Sequence, residues 1–321
     1  MAMFGREKNG EGEEGEVTGP SPDLDWSHVL LGVGITTASH PMTYVKVLIQ
    51  VGHEPIPPRA TTNLFGRPIL MLPGLLQYMG HIRKTDGFLG LYRGLLPRIC
   101  TGIIGTSVNS RIMEHMKSSH PVDPIKDTDD LRTVAEKFVK TTSQETAARC
   151  LAVVVSQPFH VVTIRCMVQF IGRETAYSGP ISAVSEIWNN EGISGFFSGL
   201  VPRLLGEVFT LWLCNILAHL INTYLLPNDE SMTNVSEFKS YSQAITGFLA
   251  NMVTYPFTLV ANCMAVTGSG LAAGQHPHMP LYTDWNDCWK HLDRMGQLKR
   301  GSSLFWRQYP KRHYVLNKGG F

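Results

Sequence analysis

Five long apolar stretches, each interrupted by polar residues at helical spacing, are the main pattern along the chain. They cover approximately residues 26–51, 96–117, 143–171, 199–226 and 241–266. Each stretch is long enough to cross the hydrocarbon core of a bilayer, which is about 30 Å thick and needs about 20 helical residues. The pattern therefore predicts five membrane-spanning helices.

The polar residues of each stretch fall on one narrow face of a helical wheel drawn at about 100° per residue. In chain order the five faces carry Thr36, His40, Thr43, Lys46 and Gln50; Arg98, Thr101, Gly105 and Asn109; Arg149, Ser156, His160 and Thr163; Glu207, Asn215, His219 and Asn222; and Asn251, Thr254, Thr258 and Asn262. A soluble bundle would show wide faces rich in Lys, Glu and Arg. We favour a membrane bundle whose narrow polar faces line a hydrated interior.

Charged residues inside the spanning stretches need an explanation, because an unsolvated charge there costs at least about 2.5–3.5 kcal/mol. Lys46 and Glu207 either pair with each other or line the polar groove, and the two interpretations are compatible. Arg165, near the end of its stretch, is expected to reach lipid headgroups. For Arg98 and Arg203, near helix starts, a structural or interfacial role competes with a role in the groove. The candidate groove-lining residues are Thr36, His40, Thr43, Lys46, His160, Thr163, Glu207, Asn215, His219, Asn251, Thr258 and Asn262.

The chain also repeats itself three times. A proline inside an apolar stretch marks each copy, and helix kinks are predicted at Pro41, Pro158 and Pro256. Membrane helices tolerate such kinks because neighbouring helices or water can satisfy the freed carbonyls. A shared phrase follows at residues 90–98 and 195–203, with a worn version near 301–311. Repeats of this length need their neighbours to complete a core. The predicted units are an acidic Gly-rich tail over 1–25 and repeats over 26–130, 131–230 and 231–321, the last of them truncated.

Composition mainly excludes classes of function. The net charge is +2, so the excess of positive charge that is typical of nucleic-acid-binding proteins is not present. Six cysteines occur without a Cys-x-x-Cys pair, which is typical of small buried residues rather than of a metal site or a disulfide frame. No nucleophile–base constellation, P-loop or dinucleotide fingerprint is found, so we expect no catalytic residues and no cofactor. The tail over 1–25 is expected to be disordered and is too acidic for a mitochondrial presequence.

The three-part layout, the prolines and the shared phrase resemble the mitochondrial carrier family. Odd-numbered helices of that family carry Pro-x-Asp/Glu-x-x-Lys/Arg, and acid–base pairs between these helices close one end of the carrier cavity. Here the first motif keeps Pro41 and Lys46 but has Thr43 in place of the acid, while residues 158–163 and 256–261 have lost both charges. Because that ring of ion pairs cannot form, a gated solute exchanger is disfavoured.

The resemblance implies an all-α membrane protein, a mitochondrial-carrier-like three-repeat helical bundle. Only ten residues follow Lys311, where the first two copies have a long apolar segment. We therefore expect the sixth transmembrane helix to be missing. Its absence would leave a seam between the first and fifth helices and a lateral groove open to lipid.

Residues 44–55, 167–174, 200–206 and 239–244 resemble one branch of the family in particular. That resemblance implies a multi-pass insertase of the mitochondrial outer membrane, which accepts tail-anchored and other α-helical membrane proteins. Lipid scrambling and docking of the apoptotic effector Bid are further implications, so the expected partners are such clients, membrane lipids and Bid. The alternatives are a degenerate solute carrier and a receptor or scaffold without insertion activity.

Overall fold

The structure is a computed structural model that describes residues 26–62, 66–121, 130–224 and 235–309. The tail predicted over 1–25 and the chain end after Lys311 lie outside these residues. Along the chain the elements are α1 (Trp26–Gln50), β1 (Arg59–Thr62), β2 (Pro68–Met71), α2 (Leu75–Gly90), α3 (Leu95–Ser119), α4 (Leu131–Val168), α5 (Pro180–Glu191), α6 (Ile193–Phe196), α7 (Leu200–Tyr224), α8 (Val235–Val266) and α9 (Trp285–Arg294).

Five of these helices, α1, α3, α4, α7 and α8, follow the five apolar stretches in order. Within the described part of the chain, three segments are long and apolar enough to cross a membrane, namely Arg132–Val168, Ile193–Ile221 and Tyr241–Val266. The two remaining long helices, α1 and α3, have 25 residues each. Four charged side chains lower the mean hydropathy of α3, at Arg98, Arg111, Glu114 and Lys117. The molecule is thus mostly helical, with several candidate membrane spans.

The three prolines predicted to kink helices each lie inside a continuous helix. Pro41 is within α1, Pro158 within α4 and Pro256 within α8. These are the first, third and fifth long helices, so the prolines repeat with the three-part pattern of the sequence. The bend at each proline stays a prediction.

The hydrophobic core lies at the end of the bundle where α1, α4 and α8 finish. Tyr44 and Leu48 of α1, Met167 of α4 and Leu259 of α8 are all fully buried there. The shorter helices α2, α5 and α9 cover the same end, and their buried side chains, such as Ile82, join this core. Packing is therefore concentrated at one end of the long helices.

A small sheet holds the segment after α9 against the end of α1. Strands β1 and β2 form an antiparallel hairpin, in which Arg59 pairs with Met71. The backbone of Gln308 forms a bridge to Met71, and the guanidinium of Arg307 binds the carboxylate of Glu54. The chain beyond α9 thus returns to the loop that follows α1.

The expectation for Arg165 is wrong. This side chain is 0% exposed and its guanidinium binds both carboxylate oxygens of Glu191 on α5, one of them at 2.9 Å. Its Nε also donates to the backbone oxygen of Ala265 on α8 at 3.0 Å. The helical wheel correctly directed Arg165 away from the groove, but α5 and α8 cover the end of α4, so the side chain finds a protein carboxylate instead of a headgroup.

Candidate functional site

A polar cavity of about 550 Å³ lies between the five long helices. All five contribute side chains to its wall. Nine of the twelve residues predicted from the helical wheel line it, namely Thr36, Thr43, Lys46, His160, Thr163, Glu207, Asn251, Thr258 and Asn262. The shared 3.6-residue period of the polar faces brings these residues together, because each helix turns its narrow face toward the same interior.

His40 does not line this cavity. It is fully buried, its Nε2 lies 2.9 Å from the backbone oxygen of Arg93, and its ring stacks on Tyr92. Its Nδ1 lies 3.3 Å from a guanidinium nitrogen of Arg98, whose side chain does line the cavity. The wheel placed His40 within the polar face of α1, but the segment before α3 packs against that position and encloses the ring.

Asn215 and His219 also lie outside the cavity, farther along α7. The amide of Asn215 donates to Glu145 Oε2 at 2.7 Å and to Thr142 Oγ1 at 3.3 Å, both on α4. The ring of His219 packs against that of Phe138 with the centroids 5.5 Å apart. Both residues face α4 as predicted for an inward face, but here they contact α4 directly and do not line the main cavity.

The cavity wall carries more positive than negative charge. Its cationic residues are Lys46, Arg98, Arg149 and Arg203, and its one carboxylate is Glu207, so four minus one gives a formal balance of +3. Such an excess in a partly enclosed space creates a positive potential, which attracts anionic groups and repels cationic ones.

Glu207 pairs with Arg149 and not with Lys46. Arg149 Nε lies 3.0 Å from Glu207 Oε2, and the two side chains are 51% and 31% exposed. The ammonium of Lys46 lies 5.2 Å from the ring centroid of Tyr255, within the range of a cation–π contact. The charges of Lys46 and Glu207 therefore have separate partners within the same cavity.

Two arginines that sequence reasoning left undecided, Arg98 and Arg203, both face the cavity. Arg203 donates to the side-chain oxygen of Gln157 at 2.7 Å, and the amide of Gln157 donates to the Ser198 carbonyl at 2.9 Å. Each arginine follows a proline in the first turn of its helix, within the repeated phrase. That repetition is the signal that could have identified both as one structural feature.

A glycine before each of these helices fixes how the first turn enters the bundle. Gly94 and Gly199 have φ of 76° and 75°, in the left-handed region that favours glycine. A Cβ on Gly199 would lie only 2.4 Å from the backbone oxygen of Ala261 on α8. The close approach of α7 to α8 at this point requires glycine, and it directs Arg203 toward the interior.

Exposure falls steeply along the cavity. Arg149 and Asn251 are exposed, whereas Thr163 is 4% exposed, Asn262 5% and Gln50 1%. The cavity thus has a wide end near Arg149 and a deep, narrow end beside Gln50. Among the residues that the structure describes, no group of three or more His, Cys, Asp or Glu side chains is placed to hold a metal ion.

Comparison with known proteins gives one family and several strong relatives. The sequence model of the family "Mitochondrial carrier protein" matches residues 29–121 and 135–226. The chain is 50% identical to "Mitochondrial carrier homolog 2" of Homo sapiens over 287 residues, which covers 88% of this chain and 94% of that protein. The homolog 2 of Mus musculus is 49% identical with the same coverage. "Mitochondrial carrier homolog 1" of Mus musculus is 43% identical over 303 residues, or 90% of this chain and 78% of the relative.

Proposed function

Because the chain belongs to the mitochondrial carrier family, we propose that it is an insertase of the mitochondrial outer membrane that uses the polar cavity as a groove for its clients. The clients are tail-anchored and other α-helical membrane proteins. Membership makes it a mitochondrial membrane protein in a family of transport proteins that are generally not enzymes. The outer membrane and the insertase activity are the parts that we propose.

The observation that carries the proposal is a polar, charged cavity enclosed by helices with apolar outer faces. Residues such as Leu31 and Ile35 of α1 and Phe248 and Val253 of α8 are between 61% and 67% exposed. A charged residue placed in the centre of an apolar layer costs about 2.5–3.5 kcal/mol. A hydrated groove lowers this cost for the short polar end of a client, while the apolar part of the client stays in lipid.

A lateral opening between α1 and α8 is the second part of the proposal. After α8, residues 267–309 contain one α-helix, α9, of ten residues. A helix of that length is about 15 Å long, which is half the thickness of the hydrocarbon core. No spanning helix from these residues stands between α8 and α1, which supports a groove that a client segment can leave sideways.

The residues at the carrier gate positions support insertion over solute exchange. Within the spanning motifs, Thr43, Thr163 and Thr258 line the cavity where charged pairs would be needed. A threonine hydroxyl cannot form the ion pairs whose making and breaking drives alternate opening in carriers. Lipid scrambling is compatible with the same groove, since a lipid, like a client with a short polar end, has a small polar group attached to an apolar part. Docking of Bid is proposed only because the sequence resemblance implies it.

Reconstitution of the purified chain in liposomes with a labelled tail-anchored client tests the proposal. We expect Lys46→Glu and Glu207→Arg to change the insertion rate in opposite directions for a client with a cationic end. The first lowers the positive charge of the cavity and the second raises it, so insertion should be faster with Lys46→Glu and slower with Glu207→Arg.

Exposed charges outside the cavity provide matched controls, with Lys84→Glu on α2 and Asp293→Arg on α9 making the same charge changes. Equal insertion by wild type and both cavity variants would contradict a functional groove. Saturable solute flux coupled to counter-exchange would instead indicate a degenerate carrier. Binding of partners without any insertion by the chain alone would indicate a receptor or scaffold.

A further inference from the structure

The deep end of the cavity is closed by a buried network of hydrogen bonds around Gln50. Its side-chain amide donates to the hydroxyl of Tyr255 at 3.0 Å, and its side-chain oxygen accepts from Asn262 Nδ2 at 2.7 Å. Gln50 ends α1, whereas Tyr255 and Asn262 are on α8. Both polar ends of the Gln50 side chain are thus engaged by α8, and the side chain is only 1% exposed.

Arg300, in the segment after α9, secures the same point from outside the bundle. Its guanidinium donates twice to the backbone oxygen of Gln50, from Nε at 3.0 Å and also from Nη2. The Tyr255 hydroxyl in turn donates to the backbone oxygen of Arg300 at 2.6 Å. Three segments distant in sequence, the end of α1, the middle of α8 and the loop after α9, are therefore joined in one closed set of bonds.

Two glycines allow this close contact. Gly301 has φ of 79°, and a Cβ there would lie 3.1 Å from the Tyr255 hydroxyl and 3.2 Å from Gln50 Cγ. Gly52 has φ of 95°, and its Cβ would lie 3.1 Å from Arg300 Nη1. Both glycines take a left-handed conformation that other residues adopt at a cost. The backbone of the C-terminal loop is thus fitted tightly over the end of α1.

The third long helix of this end, α4, is tied to the other two by separate contacts. Arg165 donates to the Ala265 carbonyl of α8 at 3.0 Å. The ring of Phe170, just after α4, meets that of Tyr44 on α1 edge to face, with centroids 6.3 Å apart. All three pairs among α1, α4 and α8 are therefore in contact below the cavity.

A second cavity lies on the far side of the network. It has a volume of about 570 Å³ and is lined by Gly52, Arg300, Gly301 and Ser302, among others. The main cavity reaches Gln50 from the other direction. Gln50 borders the main cavity and Arg300 borders the second one, so the hydrogen bonds between these two residues lie between the two spaces.

We propose that the Gln50–Tyr255–Asn262–Arg300 network is a fixed plug, which closes the deep end of the main cavity to water and solutes. Opening would require several buried hydrogen bonds to break together. The contacts between α1 and α8 here are between neutral amide and hydroxyl groups, so a charged ligand has no ion pair to displace. This inference does not rest on the insertase proposal, because it concerns access to the cavity and not what enters it.

Two introduced cysteines test the plug in intact proteoliposomes. Thr43→Cys places a thiol in the main cavity and Ser302→Cys places one on the far side. The background has alanine at Cys100, Cys150 and Cys214, and also at Cys263, whose thiol contacts the plug. A membrane-impermeant maleimide is added outside the vesicles. Each chain is inserted in one of two orientations, so one of its two introduced cysteines is on the side that faces the reagent. We expect each doubly substituted chain to take up one label, because the reagent reaches only one side of the plug. Labelling of the second site should be slower by at least roughly a hundredfold.

Rapid uptake of two labels per chain, with no lysis of the vesicles, would overturn the proposal. The variant Gln50→Ala in the same background should take up two labels, since it removes both side-chain bonds to α8. Lys299→Ala, next to Arg300 but with an exposed side chain, should keep one. If Gln50→Ala is folded and still takes up one label, these bonds do not close the cavity. If it does not fold, the two-cysteine protein alone decides.

Discussion

The two ends of the main cavity are both lined by polar side chains, but these side chains find their partners in different ways. At the wide end Arg149 and Glu207 form an ion pair in which both partners are partly exposed. At the deep end Gln50 and Asn262 are buried, and their amides bind each other at 2.7 Å. Polarity alone therefore does not define a groove. A polar face lines open space only where the neighbouring helices leave its groups without protein partners.

The buried ion pair at the closed end should give the largest effect. Arg165→Ala removes the guanidinium that binds both carboxylate oxygens of Glu191, and also the donor to the Ala265 carbonyl. We expect the free energy of unfolding, measured by denaturant titration in detergent, to fall by about 3–5 kcal/mol, as for other buried pairs that lose one partner. Arg132→Ala, at an exposed ion pair on the same helix, is the matched control and should change it by less than about 1 kcal/mol. Equal losses of stability in the two variants would contradict the expected difference between a buried and an exposed ion pair.

Gly301→Ala should have the next largest effect. The substitution forces alanine into a left-handed conformation and places its Cβ against Tyr255 and Gln50. We expect a loss of about 1–3 kcal/mol from strain, together with leakage through the plug. Gly296→Ala, where φ is 67° and the Cβ would meet nothing within 4 Å, measures strain alone. If both variants are equally stable and neither leaks, the loop after α9 does not pack tightly against the plug.

At the wide end the same loss of an ion pair should cost little stability. Glu207→Gln removes the carboxylate that binds Arg149, and we expect the free energy of unfolding to change by less than about 1 kcal/mol because both partners are partly hydrated. Insertion of a client with a cationic end should nevertheless slow, since the cavity loses its one negative charge. A client with a neutral end serves as the control. A loss of stability as large as that of Arg165→Ala would remove the distinction between the two ends.

The smallest effect concerns His53, in the loop beyond the closed end. Burial, together with nearby His278 and His81, lowers its pKa from 6.5 to about 4. The unfolded chain therefore takes up this proton at a higher pH than the folded one, and stability is full above about pH 6.5 and declines as the pH falls toward 4. Since the ring is partly exposed, we expect a decline of about 1 kcal/mol or less. His53→Phe should flatten the stability profile over this range, and an unchanged slope would contradict the assignment.

The sequence predicted the polar cavity better than it predicted its limits. The helical period was sufficient to select nine lining residues on four helices, because a narrow polar face inside an apolar helix has few stable orientations. It was wrong for His40 and Asn215, which lie on the same faces but meet Arg93 and Glu145. A wheel gives the angle of a residue on its own helix and says nothing about the distance to the next helix.

The closed end shows the same limit in another way. The three proline motifs have lost their charged pairs, which predicts that the ion pairs that gate carriers do not form. That prediction suggested no means of closing the cavity, yet Arg300 and Gln50 close it with a different set of groups. No spacing rule connects Gln50 with Asn262, 212 residues away, or with Arg300, 250 residues away.

The sequence by itself determined the long helices, their polar faces, the repeated prolines and the loss of the gating charges, because these depend on residue type and local period. Only the tertiary structure decided which polar groups remain open and which are satisfied. That outcome depends on the partners that folding brings close: Arg149 and Glu207 meet beside open space, whereas Gln50 meets Tyr255, Asn262 and Arg300 where three helices converge.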